Sequence, residues 1–339
     1  MKVVQFTDVG SPLKLADAPR PVAGPGELVF KVAACGVCAS DLHAAEVPGM
    51  LQVGNVLGHE YSGVVAEVGP GVEGWLPGDR MIAIPVRPCG ACAACRSAQY
   101  MQCSDPMLQG FDPRLPGAYA EYASCLAALA FKIPDGLGSV DAATVEPLAV
   151  GLGAWKTAQV PDGADVMIVG AGIIGLSIAK WAKFFGAGCV GVSEMVPARM
   201  ERARQVGADV VIDAGACADP VAEYERQTGR KPSVIFECVG RPMIARLIAM
   251  APIGTHLVLV GTGMENESFT VLSAAMKRLR MTFTLGYEPA DFGFVLQMLG
   301  NGRITNAPMV TATIGLDELP ATFEVLRKPN DHCKVVVTP

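Results

Sequence analysis

The stretch Val166-Met167-Ile168-Val169-Gly170-Ala171-Gly172-Ile173-Ile174-Gly175 decides the fold. Four uncharged apolar residues read as a strand buried on both faces, and the glycines behind it are spaced G-x-G-x-x-G ahead of a helical run over 173–185. Gly170 makes the tight turn, Gly172 lets backbone approach a pyrophosphate, and Gly175 lets helix and strand pack closely. Free N–H groups of the first helical turn, which holds Ile173 and Ile174, then favour an anion. Glu194 ends the next strand about 20 residues on, where a carboxylate accepts from the adenosine ribose and repels a 2′-phosphate. That pattern favours NAD; Ser193 and Arg199 lie near enough to hold a phosphate, so NADP stays open. Gly261 and Thr262, behind a later strand, are assigned to the cofactor as well.

Outward from this turn, strands over 189–193, 210–212, 234–238 and 256–260 alternate with helices over 142–158 and 197–206. Such alternation means βαβ units and a doubly wound parallel sheet of Rossmann type, an α/β domain over 151–286. The first 150 residues differ. Short apolar runs at 29–34, 62–68 and 80–84 between Gly and Pro turns read as a β-rich, barrel-like domain. The tail over 287–339, ending in Lys334-Val335-Val336-Val337, reads as completing that first domain. The strand over 256–260 is expected at an edge, where it and the apolar segment 247–252 would pair across subunits of a homodimer or homotetramer.

Composition narrows the function. With 339 residues, 51% hydrophobic and 18% charged, the chain is globular. A net charge of -6 argues against nucleic acid, which needs a basic stripe. Neither 166–179 nor 247–264 is long and apolar enough to span a membrane. The start Met1-Lys2-Val3-Val4-Gln5-Phe6 lacks the apolar region of an export signal, so a cytoplasmic location is expected. In that compartment the eleven cysteines are expected to be metal ligands, buried thiols or nucleophiles rather than disulfides.

Four of them cluster. Cys89-Gly90-Ala91-Cys92-Ala93-Ala94-Cys95 is followed by Cys103, and two-residue spacers let sulfurs converge on one tetrahedral ion. All-sulfur zinc leaves no open position, so such a site is structural; an iron–sulfur cluster is the rival that the same ligands suit. A second set is dispersed: Cys35-Gly36-Val37-Cys38-Ala39-Ser40-Asp41-Leu42-His43, Gly58-His59-Glu60 and Val145-Glu146-Pro147 together supply thiols, imidazoles, a hydroxyl and carboxylates.

With these motifs the chain resembles the zinc-containing medium-chain dehydrogenases, the group of alcohol, polyol and threonine dehydrogenases. Cys-x-Ser-Asp-x-His at 38–43, Gly-His-Glu at 58–60, Gly-Asp-Arg at 78–80, the cysteine lobe, Glu-Pro-Leu-Ala at 146–149 and the Gly turn at 170–175 follow in that family's order. The resemblance covers essentially the whole chain. It implies a GroES-like catalytic domain beside the Rossmann domain, and two zinc ions per chain, one catalytic and one structural. Cys38 and His59 match ligands of the catalytic zinc, with Glu60 and Glu146 sharing the third position. Ser40 and His43 match the proton relay. Cys35 is then a buried neighbour; Cys125, Cys189, Cys217, Cys238 and Cys333 are packing thiols; His256 and His332 are structural.

Departures from the family bear on substrate. Polyol dehydrogenases of this group carry a Tyr after the relay His and an Arg in the segment after the last sheet strands, whereas this chain has Ala44 and, near the second place, Gly286. Gly151-Leu152-Gly153 stands where relatives often have a His. Lost hydroxyl grips point to a secondary alcohol or ketone that is bulkier or less polar, with Phe111, Tyr119 and Trp155 as candidate walls. A polyol, diol or threonine-type substrate is the alternative, and a non-catalytic dinucleotide-binding protein is the alternative of another class.

Overall fold

The computed structural model describes residues 1–97 and 99–339. Two units emerge: one of 1–146, 288–306 and 310–339, the other of 147–287 and 307–309.

The first unit is built on a seven-stranded sheet. Val310–Gly315, Lys334–Thr338, Glu27–Gly36, Glu60–Val68, Arg80–Ala83 and Ala130–Lys132 lie in that order, and Tyr122–Leu126 also pairs with Glu27–Gly36. All neighbours are antiparallel except the first two, which are parallel. Leu28, Phe30, Val32, Val65, Met81, Ala123 and Val335 fill the core. Register shifts between Val29 and Phe30 and between Val32 and Ala34 bend the long central strand.

The second unit holds a six-stranded parallel sheet in the order Val210–Asp213, Val190–Glu194, Val166–Val169, Val234–Glu237, His256–Leu259, Arg280–Phe283. This is the doubly wound dinucleotide order, with its switch point behind Val166–Val169. Val166–Val169, Val234–Glu237 and His256–Leu259 are buried throughout, as strands covered on both faces must be.

Three expectations are corrected. His256–Leu259 is not an edge, because Arg280–Phe283 pairs outside it and takes that place. The apolar side chains Leu247, Ile248 and Ala251, expected to pair across subunits, are core side chains of the second unit. The single helix over 142–158 is two, Ser139–Ala143 and Val145–Ala158, separated at Thr144, whose hydroxyl donates to the Asp141 carbonyl at 2.7 Å and receives Asn306 at 3.3 Å. Among the described residues, no helix is long and apolar enough to cross a membrane.

Candidate functional site

Strand register brings the dispersed donors together. Glu27–Gly36 and Glu60–Val68 pair with Gly36 opposite Glu60 and Cys35 opposite Tyr61. The chain therefore leaves one strand through Cys38 where it enters the next through His59. One donor atom from each of Cys38, His59 and Glu60 lies within 4.8 Å of the others. Thiolate, imidazole and carboxylate are donors that zinc takes, so this set fits the ion. Of the two carboxylates assigned to share the third position, Glu60 is among the converging donors. Glu146 opens the helix Val145–Ala158, and its carboxylate is not among the converging donors.

Each donor has a support. His59 Nδ1 lies 3.3 Å from Asp41 Oδ1, and Ser40 Oγ lies 3.4 Å from His59 Nε2. Asp41 Oδ2 accepts the Tyr119 hydroxyl at 2.6 Å and the Cys38 N–H at 3.1 Å. Burial alone would push the Asp41 carboxyl up, but the His59 charge beside it and the bonds from Tyr119 and Cys38 outweigh it and hold it below the usual range. Lys334 Nζ donates to Glu60 Oε1 at 2.7 Å and to the Val37 carbonyl at 2.9 Å, and lies 2.6 Å from Glu60 Oε2. A Cβ at position 36 would run into the Glu60 carboxylate, so only glycine leaves room for it. Gly58, at φ +94°, likewise packs where a Cβ would meet the Tyr119 ring at 2.6 Å and Cys35 Sγ at 2.9 Å.

Ser40 and His43 both stand on the short helix Ala39–Ala44, one turn apart and so on one face. The Phe111 ring lies beside His59 with centroids 5.5 Å apart, held by Asn55, whose amide donates to the Phe111 carbonyl at 3.0 Å and the Gly110 carbonyl at 3.3 Å. Trp155 is no wall: it stacks on Phe185 and Phe236 within the second unit. Tyr119 is wholly buried. Cys35, Cys125 and Cys189 are buried, while Cys217, Cys238 and Cys333 are partly so. His256 bonds Thr282 at 2.8 Å and His332 bonds Thr311 at 3.2 Å.

The lobe converges as well. Donors of Cys89, Cys92, Cys95 and Cys103 lie within 4.8 Å of one another, with sulfurs 3.9 Å (89 to 95), 3.4 Å (92 to 95) and 4.0 Å (92 to 103) apart. Four sulfurs at about 2.3 Å around one tetrahedral ion stand roughly 3.8 Å apart. A multi-iron cluster puts its sulfurs on separate irons, farther from each other. Backbone N–H groups of Cys95 and Ser104 bring the Cys92 thiol down to about 5, which keeps it a thiolate.

At the Gly turn, Gly170 adopts φ +97° and a Cβ on Gly175 would strike the Gly170 carbonyl, while Gly172 faces open space on its Cβ side. Ile173 and Ile174 open the helix Ile173–Phe184. Glu194 Oε2 accepts from Ala171 N at 2.9 Å, and Oε1 from Met195 N at 2.7 Å and Val196 N at 3.1 Å. A carboxylate has about four acceptor sites, so ribose hydroxyls still find room. Arg199 lies in the first turn of Pro197–Gln205. Gly261 and Thr262 line a cavity of about 440 Å³ with Glu237, Gly240 and Phe283.

Asp41, Lys334 and Asn55 had no assigned role in the sequence reading. Asp41 was legible inside the Cys-x-Ser-Asp-x-His motif; Lys334 had no local signal, since its partner lies 274 positions away.

Residues 24–135 match the alcohol dehydrogenase GroES-like domain family, and residues 174–301 match the zinc-binding dehydrogenase family. The sorbitol dehydrogenase of Homo sapiens is 31% identical over 326 residues, covering 93% of this chain and 90% of that one. The structure of 2R,3R-butanediol dehydrogenase from Bacillus subtilis superposes with a TM-score of 0.88 at 29% identity, covering 100% and 99% of the two chains. A zinc-binding dehydrogenase of Sinorhizobium meliloti 1021 bound to NADP gives 0.88 at 28% identity, with the same coverage. Donor set, lobe, sheet order and full-length similarity agree: the chain belongs to the zinc-type medium-chain dehydrogenases and is an oxidoreductase of the zinc-dependent alcohol and polyol class.

Proposed function

We propose that the protein interconverts a relatively apolar or bulky secondary alcohol and its ketone with NAD, using zinc held by Cys38, His59 and Glu60. A second zinc sits in the Cys89–Cys92–Cys95–Cys103 lobe and is structural. Zinc at the first site supplies Lewis-acid polarisation of the substrate oxygen, and the dinucleotide supplies the hydride acceptor. Asp41 orients the His59 ring and raises its basicity. Ser40 Oγ lies on the Nε2 side of that ring, placed to take the substrate hydroxyl proton, and His43 on the same helix face passes it on to solvent. The Gly170–Gly175 turn cradles the pyrophosphate, and Glu194 faces the ribose and disfavours NADP.

The observation that carries the substrate reading is the apolar Phe111 ring set against His59; Ala44, after the relay His, is buried in the core of the first unit. Gly286 adopts φ +73°, the left-handed region that favours glycine, so backbone geometry accounts for glycine there without a lost side-chain grip. A Cβ on Gly153 would collide with the Gly286 carbonyl, so close packing accounts for glycine at 153. Similarity to sorbitol dehydrogenase favours the second reading, a polyol. Initial rates with NAD⁺ across sorbitol, xylitol, 2,3-butanediol, cyclohexanol and 1-phenylethanol decide between them. The apolar alcohols are expected to lead by at least about tenfold in kcat/KM, and NAD⁺ to lead NADP⁺. A lead for the polyols overturns the substrate reading.

A homo-oligomer is part of this reading. Arg280–Phe283 is a sheet edge with no further strand among the described residues; its Phe283 is 70% exposed, and Leu285, two residues on, 86%. Such an edge is a pairing hazard that a second copy covers. Light scattering is expected to give a dimer or tetramer mass, and Phe283→Lys to shift it toward 35.4 kDa.

A further inference from the structure

We propose that Tyr119 is a positioning residue of the Cys38–His59–Glu60 metal centre, acting through Asp41 on the His59 ring. The proposal rests on the reading that these three residues hold zinc.

Asp41 is 0% exposed and divides its two oxygens. Oδ1 faces His59 Nδ1; Oδ2 takes the Tyr119 hydroxyl and the Cys38 N–H. A carboxylate on Nδ1 keeps the proton on that nitrogen and leaves the Nε2 lone pair for an ion. The orientation of the ring is thus only as fixed as the carboxylate plane, and Tyr119 supplies the shorter of the two bonds that fix that plane on its far side.

The phenol is itself immobilised. Tyr119 N donates to the Leu57 carbonyl at 3.0 Å, its carbonyl receives Val4 N at 2.8 Å, and its ring fills the space that a side chain at Gly58 would need. The same backbone that carries His59 therefore also carries the platform for the tyrosine ring. Burial, then the Asp41 charge, push the hydroxyl well above its usual value, so it stays protonated and donates. Phenylalanine would fill the same space, so what tyrosine adds at 119 is the donor.

The test is zinc release from the purified full chain into a chromogenic chelator, with wild type, Tyr119→Phe, Asp41→Asn and the double variant. The cysteine lobe is an internal control in every sample. Removing an outer partner of a metal-bound histidine typically costs 10–100-fold in affinity. Y119F is expected to release one zinc about tenfold faster with the lobe zinc unchanged, D41N to do the same, and the double variant to match D41N. Wild-type release by Y119F overturns the proposal. Equal loosening of both zincs also overturns it, since that marks general destabilisation. So does a double variant in which the two effects add. A wild-type chain that holds zinc only in the lobe overturns the metal reading, and this proposal with it. Should Y119F not accumulate, D41N with selective loss of one zinc supports the Asp41 link, and D41N without it overturns the chain of action.

Discussion

His59→Ala is expected to cost at least about a thousandfold in turnover and to leave one zinc per chain instead of two. Water free in solution has a pKa of about 15.7 and zinc-bound water about 7, a gap of roughly 9 units or about 12 kcal/mol. General acid–base help from a relay histidine contributes about 10²–10⁴-fold, roughly 3–5 kcal/mol, and leaves most of that gap. Losing only a third of the zinc contribution, about 4 kcal/mol, already removes about three orders of magnitude. His59 is buried between Asp41 and Phe111, and alanine at 59 removes the imidazole donor from the converging set. Initial rates paired with elemental analysis check both parts. More than a tenth of wild-type turnover, or two zincs retained, would contradict the assignment of His59.

Lys334→Met is expected to destabilise the zinc-free chain by about 3–5 kcal/mol, the usual cost of stripping one partner from a buried ion pair. Lys334 is 1% exposed and Glu60 0%, so the orphaned carboxylate finds no water. Burial would lower the lysine, but the Glu60 and then the Cys38 charges outweigh it and hold the ammonium charged. Adding Glu60→Gln to Lys334→Met should recover part of the loss, because the uncompensated charge is then gone. Zinc should narrow the deficit of the single variant, since a cation again faces Glu60. Urea unfolding with and without zinc reads all three outcomes; an unchanged midpoint for K334M would refute the pair's structural weight.

What the amino-acid order reveals here depends on how local each device is. The cysteine lobe spans fifteen positions, so spacing alone shows it. The Gly170–Gly175 turn is read from one strand and one helix. Cys38 and His59 come from separate stretches, yet each carries a recognisable motif, and one strand pairing unites them. Tyr119 and Asp41 are 78 positions apart, and a tyrosine in a β-rich stretch looks like ordinary core. Lys334 at the head of a Val-rich strand looks like a solvated end until the sheet places that strand beside Glu27–Gly36. The strand taken for an edge was misplaced because Arg280–Phe283, with Arg at its start and Phe exposed at its end, shows no buried-strand pattern.

The Glu60–Lys334 pair also sets a timetable for synthesis. The lysine leaves the ribosome 274 residues after the glutamate it neutralises. At about 5–20 residues per second that is a wait of roughly 14–55 s. Throughout it the amino-terminal sheet lacks the strand that pairs with Glu27–Gly36, and the nascent carboxylate has to stay hydrated. The parallel sheet, encoded wholly in between, can close first. Birth order and assembly order can therefore run opposite: the Glu60 carboxylate is not sealed until Lys334 has emerged.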